Sequence, residues 1–175
     1  MYMLRLFSII VVLTIVGVHA KDLKCQVPIA APKNIEKVVN QCQEEIKTAL
    51  LSEAFHFLTD NQSVNSSRRK RETFTEEERR IAGCLLQCVY RKMKAVNSNG
   101  FPTAEGLIAL YTEGAQDQEY LLASHQAVSQ CLVDAQKKHL PTPHSITIKG
   151  KTCDIAFDVF DCVSDRIGEY CGQSL

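Results

Sequence analysis

The apolar positions of this chain fall into helical registers along most of its length. Ile35, Val38, Val39, Cys42, Ile46, Ala49 and Leu50 recur every three or four residues, the period of one helix face. Pro32 suits the first turn of that helix, which is expected to begin near Lys33. A polar stretch, Asp60 to Ser67, interrupts the pattern, and four basic residues, Arg68 to Arg71, follow it. A second helix opens at Thr75, with Glu78 three residues on as a capping box. Its stripe is Ile81, Cys84, Leu85, Cys88, Val89, Met93 and Val96, and Asn99-Gly100 is its expected stop. Thr103 can cap a short third helix through Tyr111, broken by Gly114.

Asp117 is a suitable N-cap for a fourth helix running to about His139. Leu121, Leu122, His125, Val128, Cys131, Leu132 and Ala135 read as its inner face, and Pro141 and Pro143 end it. Ser145 to Gly150 alternates polar and apolar, which fits an extended loop or one short strand. A last helix spans about Thr152 to Tyr170. Ile155, Phe157, Val159, Phe160, Val163 and Ile167 make it apolar around much of its circumference, so burial on more than one side is expected. The class is all-α, a compact bundle of five to six helices.

The start of the chain belongs to a different category. Leu6 to Val18 is an apolar run of 13 residues behind Arg5, and Val18-His19-Ala20 places small residues as a cleavage site requires. A membrane span needs about 20 apolar residues. Residues 1–20 are therefore expected to be a signal peptide, leaving residues 21–175 as one secreted domain. Removing Arg5 from the 20 basic residues leaves 19 against 20 acidic ones. That balance argues against nucleic-acid binding, which needs a basic surface.

All eight cysteines follow the signal: Cys25, Cys42, Cys84, Cys88, Cys131, Cys153, Cys162 and Cys171. An even count in an oxidising compartment points to four disulfides. Thiolate metal binding is the rival reading, but no CxxC pair occurs. Cys84 and Cys88 share one helix face, so each is expected to reach a different neighbouring helix. Cys153 and Cys162 are nine apart, on opposite faces at about 100° per residue. The last helix would then lie between two others, stapled on both sides.

Cys84-Leu-Leu-Gln-Cys88-Val-Tyr-Arg-Lys-Met93 followed by Asn99-Gly100 resembles the centre of insect odorant-binding proteins. That family carries six cysteines, with three residues between the second and third and eight between the fifth and sixth. Cys42, Cys84, Cys88, Cys131, Cys153 and Cys162 fit this register in order, and Glu45 suits the first-helix pattern. The resemblance implies bridges Cys42–Cys88, Cys84–Cys153 and Cys131–Cys162, interlocked around an apolar cavity. Cys25 and Cys171 remain, one near each end of the mature chain, and are expected to pair. The gaps of 41 residues before Cys84 and 21 before Cys153 are long for the family, and Val163 stands where its extra-cysteine branch often has proline. The two insertions are candidates to cover, narrow or replace the cavity entrance.

The family implies a soluble carrier of small apolar ligands in extracellular fluid. Leu85, Val89, Met93, Leu107, Leu110, Tyr111, Leu121, His125, Val128, Phe157 and Phe160 are the candidate cavity residues, each equally readable as plain core. Tyr111 could offer a hydroxyl to a polar ligand group, and His125 could be a pH-sensitive gate or a satisfied boundary histidine. No catalytic residue, cofactor or metal site is expected: HExxH, GxSxG and phosphate-binding glycine loops are absent. A secreted hydrolase of phospholipase type would need a His–Asp pair beside a calcium-binding glycine loop, which the sequence lacks. Asn61 and Asn65 are glycosylation sequons. Arg68 to Arg71 reads either as a solvated loop or as a processing site ending at Arg71. The second reading would suit a secreted signalling or interaction module reusing the fold. The expected partners are a small apolar ligand and, as a candidate, a membrane receptor. The expected state is a monomer or weak dimer.

Overall fold

The computed structural model describes residues 24–28, 31–59, 75–142, 145–148 and 150–172. The signal segment, Asn61, Asn65 and the basic run Arg68 to Arg71 lie outside the described residues. Among the described residues there are five α-helices: α1 (Ile35–Thr59), α2 (Glu76–Lys92), α3 (Ala104–Thr112), α4 (Gln118–His139) and α5 (Lys151–Cys171). Among the described residues there is no strand, and only one isolated bridge pairs Val96 with Pro102.

Local chemistry starts the helices where the sequence suggests. Thr75 Oγ1 accepts from the Glu78 amide, and the Glu78 carboxylate accepts from the Thr75 amide, which satisfies two donors that a helix start leaves unpaired. The Thr103 hydroxyl caps α3 and the Asp117 carboxylate caps α4 in the same way.

The end of α2 differs from expectation. The helix stops at Lys92, not at Asn99. Lys94 takes a left-handed backbone conformation (φ 59°), and the chain doubles back. The Ala95 amide reaches the Tyr90 carbonyl at 2.7 Å, and the Asn97 side chain accepts from the amides of Asn99 and Phe101. A side-chain carbonyl that captures two backbone donors competes directly with helix continuation. Tight packing holds this turn: Ala95 is fully buried, and a methyl group at Gly106 would collide with its Cα. Ser145–Thr147 is one short 3-10 turn, neither the strand nor the plain extended loop expected there.

The core forms where α5 packs against α2 on one side and α4 on the other, with α3 against α4. Leu107, Val128, Ile155, Val159 and Val163 are fully buried there. The four disulfides are Cys42–Cys88, Cys84–Cys153 and Cys131–Cys162, the three the family register implies, and Cys25–Cys171, the pair expected of the two remaining cysteines. Cys153 ties α5 to α2 and Cys162 ties it to α4, so α5 is stapled on opposite faces. Close approach at Cys84–Cys153 depends on Gly83, where a methyl would strike the Cys153 carbonyl.

One ionic node also joins three helices. Asp158 on α5 meets Arg79 of α2, Lys138 of α4 at 2.6 Å and the His139 ring of α4 at 2.6 Å. His139 is buried, and its Nδ1 has no hydrogen-bond partner. A neutral ring with its proton on Nε2, donated to Asp158, fits this environment. Protonation would add a buried donor at Nδ1 with nothing to accept it. Burial pushes the His139 pKa below its usual value, and Lys151 and Lys138 push the same way. Arg79 and Lys138 already answer the Asp158 charge, so the carboxylate does not reverse this.

Candidate functional site

A cleft of about 510 Å³ opens between α1 and the main core, within the range of small-molecule sites. Ile35 and Val39 of α1 form one wall. Leu85, Leu86, Val89 and Tyr90 of α2 form the next. Leu110, Tyr111 and Glu113 come from the end of α3, Tyr120 from the first turn of α4, and Phe160 from α5. The remaining wall is the N-terminal arm, through Val27, Pro28, Ala31 and Pro32. Glu113 is the one charged side chain in this lining. A larger but more open depression beside α1 is lined by Glu36, Lys37, Asn40, Gln41, Glu44, Glu45 and Lys92. Those groups are all charged or amide-bearing and offer no apolar wall.

The arm is tied at both ends. Cys25 is bonded to Cys171, the Lys24 amide donates to the Cys171 carbonyl at 3.1 Å, and the Lys24 ammonium sits over the Tyr170 ring. Tyr170 in turn donates to Glu119 at 2.7 Å. At the far end the Lys33 amide donates to Glu113 at 3.0 Å, and Asn34 adopts a positive φ (66°) before α1 begins.

The inner wall holds three tyrosines. The Tyr120 hydroxyl donates to the Tyr111 carbonyl at 3.3 Å. The hydroxyls of Tyr90 and Tyr111 are buried and make no hydrogen bond. They lie near enough to influence each other, and Ser164 is the other polar group beside Tyr111. Burial pushes both phenols up, Tyr111 to about 12, so both are neutral at physiological pH. A buried polar group left unpaired costs about 1–3 kcal/mol.

The structure brings Leu85, Val89, Leu110, Tyr111 and Phe160 together at the cleft. It places the other candidates elsewhere. Leu107 and Val128 are fully buried core, and Met93 packs beside Cys42 and Cys88 under α1. Phe157 lies beneath the Arg79 guanidinium, 4.6 Å from ring centroid to cation. Leu121 is half-buried and lines no part of the cleft, and His125 is exposed. The stripe read on α4 was rotated by about one residue. Its buried face is Tyr120, Ala123, Ser124, Ala127, Val128, Cys131 and Ala135, because small side chains let α4 approach α5 closely. Leu122, larger and more apolar, is left 46% exposed.

Sequence reasoning missed Tyr90, Tyr120, Leu86 and the arm. Leu86 and Tyr90 are four apart, on the α2 face opposite the stripe singled out, so spacing could have found them. The arm's signal was the Cys25–Cys171 pairing itself, which anchors the start of a segment that brings Val27, Pro28, Ala31 and Pro32 to the cleft. Of the two long insertions, the second places none of its described residues at the cleft: Ser145–Thr147 contacts α5 instead. Of the first, residues 60–74 lie outside the described residues, and none of the described ones lines the cleft.

A disulfide-stapled helical domain with an apolar, nearly uncharged cleft of this size has the geometry of a small-ligand-binding protein. Comparison with known proteins gives the family. The PBP/GOBP family model matches residues 26–166. General odorant-binding protein 70 of Anopheles gambiae is 38% identical over 178 residues, covering 96% of this chain and 89% of that protein. General odorant-binding protein 71 of the same mosquito is 26% identical over 95 residues, 53% of this chain and 37% of that one. No solved structure matches. The chain belongs to the PBP/GOBP family of insect odorant-binding proteins.

Proposed function

We propose that this protein is a secreted carrier that reversibly encloses a small apolar or amphipathic odorant-like molecule in extracellular fluid, without covalent chemistry. The cleft carries this reading: a built apolar site, with Glu113 as its one charged residue, in a domain whose cross-links keep its walls apart. Burying about 10 ligand methylenes supplies several kcal/mol after the costs of association, enough for a carrier that must also release. Family membership supports transport over catalysis. No helix among the described residues is long and apolar enough to cross a membrane, and the apolar run Leu6 to Val18 behind Arg5 supports export.

Native mass spectrometry on protein secreted from insect cells tests the proposal. The expected species begins at Lys21, has lost all eight thiol hydrogens, and carries a small apolar adduct that an added ligand displaces. The same spectrum reports glycan at Asn61 or Asn65, cleavage after Arg71 and any dimer. A fully oxidised protein that stays empty against a broad apolar panel would end the carrier reading. The chain would then read as an interaction module.

A further inference from the structure

The cleft is graded from mouth to floor. Val27 and Phe160 at its outer edge are 43% and 41% exposed, whereas Tyr90 and Tyr120 at its inner end are 2% and 7% exposed. Its floor is therefore phenolic rather than aliphatic. Tyr120 has its acceptor, but the Tyr90 and Tyr111 hydroxyls have none. Two adjacent buried hydroxyls without partners are uncommon in a folded protein, and each calls for an explanation. They arise from different helices, α2 and α3, and meet at the inner end of this apolar cleft.

We propose that Tyr90 and Tyr111 form the polar recognition point of this cleft, and that its ligand is a neutral molecule with an apolar body and one oxygen acceptor. An alcohol, aldehyde, ketone or ester meets that description, and a carboxylic acid does not. This rests on the carrier reading above. Neither hydroxyl touches solvent in the empty protein, so a ligand oxygen reaches them only when a ring turns aside, a movement that gives up the polar contact between the two phenols. Burial keeps both phenols protonated, so they meet a ligand as neutral donors. A carboxylate would lose its water in a lining that supplies no cation and one like charge, Glu113. An alkane fills the cleft but leaves both hydroxyls unpaired.

The test compares octane, octanal, 1-octanol and octanoate at pH 7.4, each displacing a fluorescent reporter. The proteins are wild type, Tyr90→Phe, Tyr111→Phe and the double variant. Octanal and 1-octanol are expected to bind about tenfold more tightly than octane, the equivalent of about 1.4 kcal/mol. Octanoate is expected to bind at least about tenfold more weakly than 1-octanol. The variants should bring octanal and 1-octanol down towards octane and leave octane within about twofold of wild type. The thermal midpoint of the empty variants should change little, because neither hydroxyl makes a well-formed hydrogen bond. Equal binding of all four probes would overturn the proposal and leave the carrier intact. So would preference for octanoate, or variants that weaken octane as much as octanal. Failure of every probe, octane included, would remove the carrier reading and this inference with it.

Discussion

Helix α1 and the α2–α5 core are built differently. In the core, fully buried residues come from several helices and small side chains permit close approach: Gly83 against Cys153, Gly106 against Ala95, and Ala123 and Ala127 along α4. Among the described side chains of α1, Cys42 is the fully buried one, supported by half-buried Ile35, Val38, Val39 and Ile46. Leu50 and Leu51 are 42% and 64% exposed. α1 is held by the Cys42–Cys88 bridge and by Glu45, which meets Lys92 at 2.7 Å and Arg91 at 3.8 Å. The cleft lies on the seam between these two regions. The α1 wall of the cleft is thus held mainly by one bridge and one ionic cluster, whereas Tyr90 and Tyr120 at its floor belong to the packed core.

The largest effect should come from hollowing the rigid side. Ile155→Ala removes a fully buried side chain and is expected to cost about 2–5 kcal/mol, read as a lower urea midpoint. A loss below about 1 kcal/mol would mean that the core is looser than described. Cutting the tether of α1 comes next. Cys42→Ser with Cys88→Ser opens a bridge of sequence separation 46 and should cost about 2–4 kcal/mol. Hydrogen exchange should show α1 losing protection while α4 and α5 keep theirs. Loss of protection throughout would erase the distinction between the two regions.

Acid should weaken the core side through His139. Its pKa is lowered on folding, so the folded state binds fewer protons than the unfolded chain once pH falls below about 6.5. Stability present at pH 7 is therefore lost as pH drops through the folded value, and the dependence should flatten in His139→Gln. An unchanged slope would place the acid sensitivity elsewhere. The smallest effect is expected on α1's outer face. Leu51→Ser should change stability by no more than about 0.5 kcal/mol. A larger loss would show that something covers this face in solution.

Much of the helical framework was legible because its signals are local. Thr75 with Glu78, Thr103 and Asp117 cap the helices they were expected to cap, since a cap needs only the next turn of its own chain. The errors share another cause. α2 stops at Lys92 because the turn from Lys94 to Phe101 is held against buried Ala95 and Gly106, which spacing along α2 does not reveal. His125 and Leu122 sit on an apolar-looking stripe, yet Ala123, Ser124 and Ala127 face α5, because the space between the helices favours small residues over the most apolar ones.

Helix periodicity, helix starts and the six-cysteine register with its two additional cysteines could be read from order and spacing along the chain, since each depends on neighbours a few residues apart or on a pattern of counts. The cleft could not. Its walls come from five helices and an arm, and whether Leu110 lines a cavity while Leu107 three residues earlier fills the core depends on where other helices leave space. The unpaired hydroxyls of Tyr90 and Tyr111 belong to the same category. A phenol's partner, or its lack of one, is set by what packs around it, and those neighbours are distant in sequence.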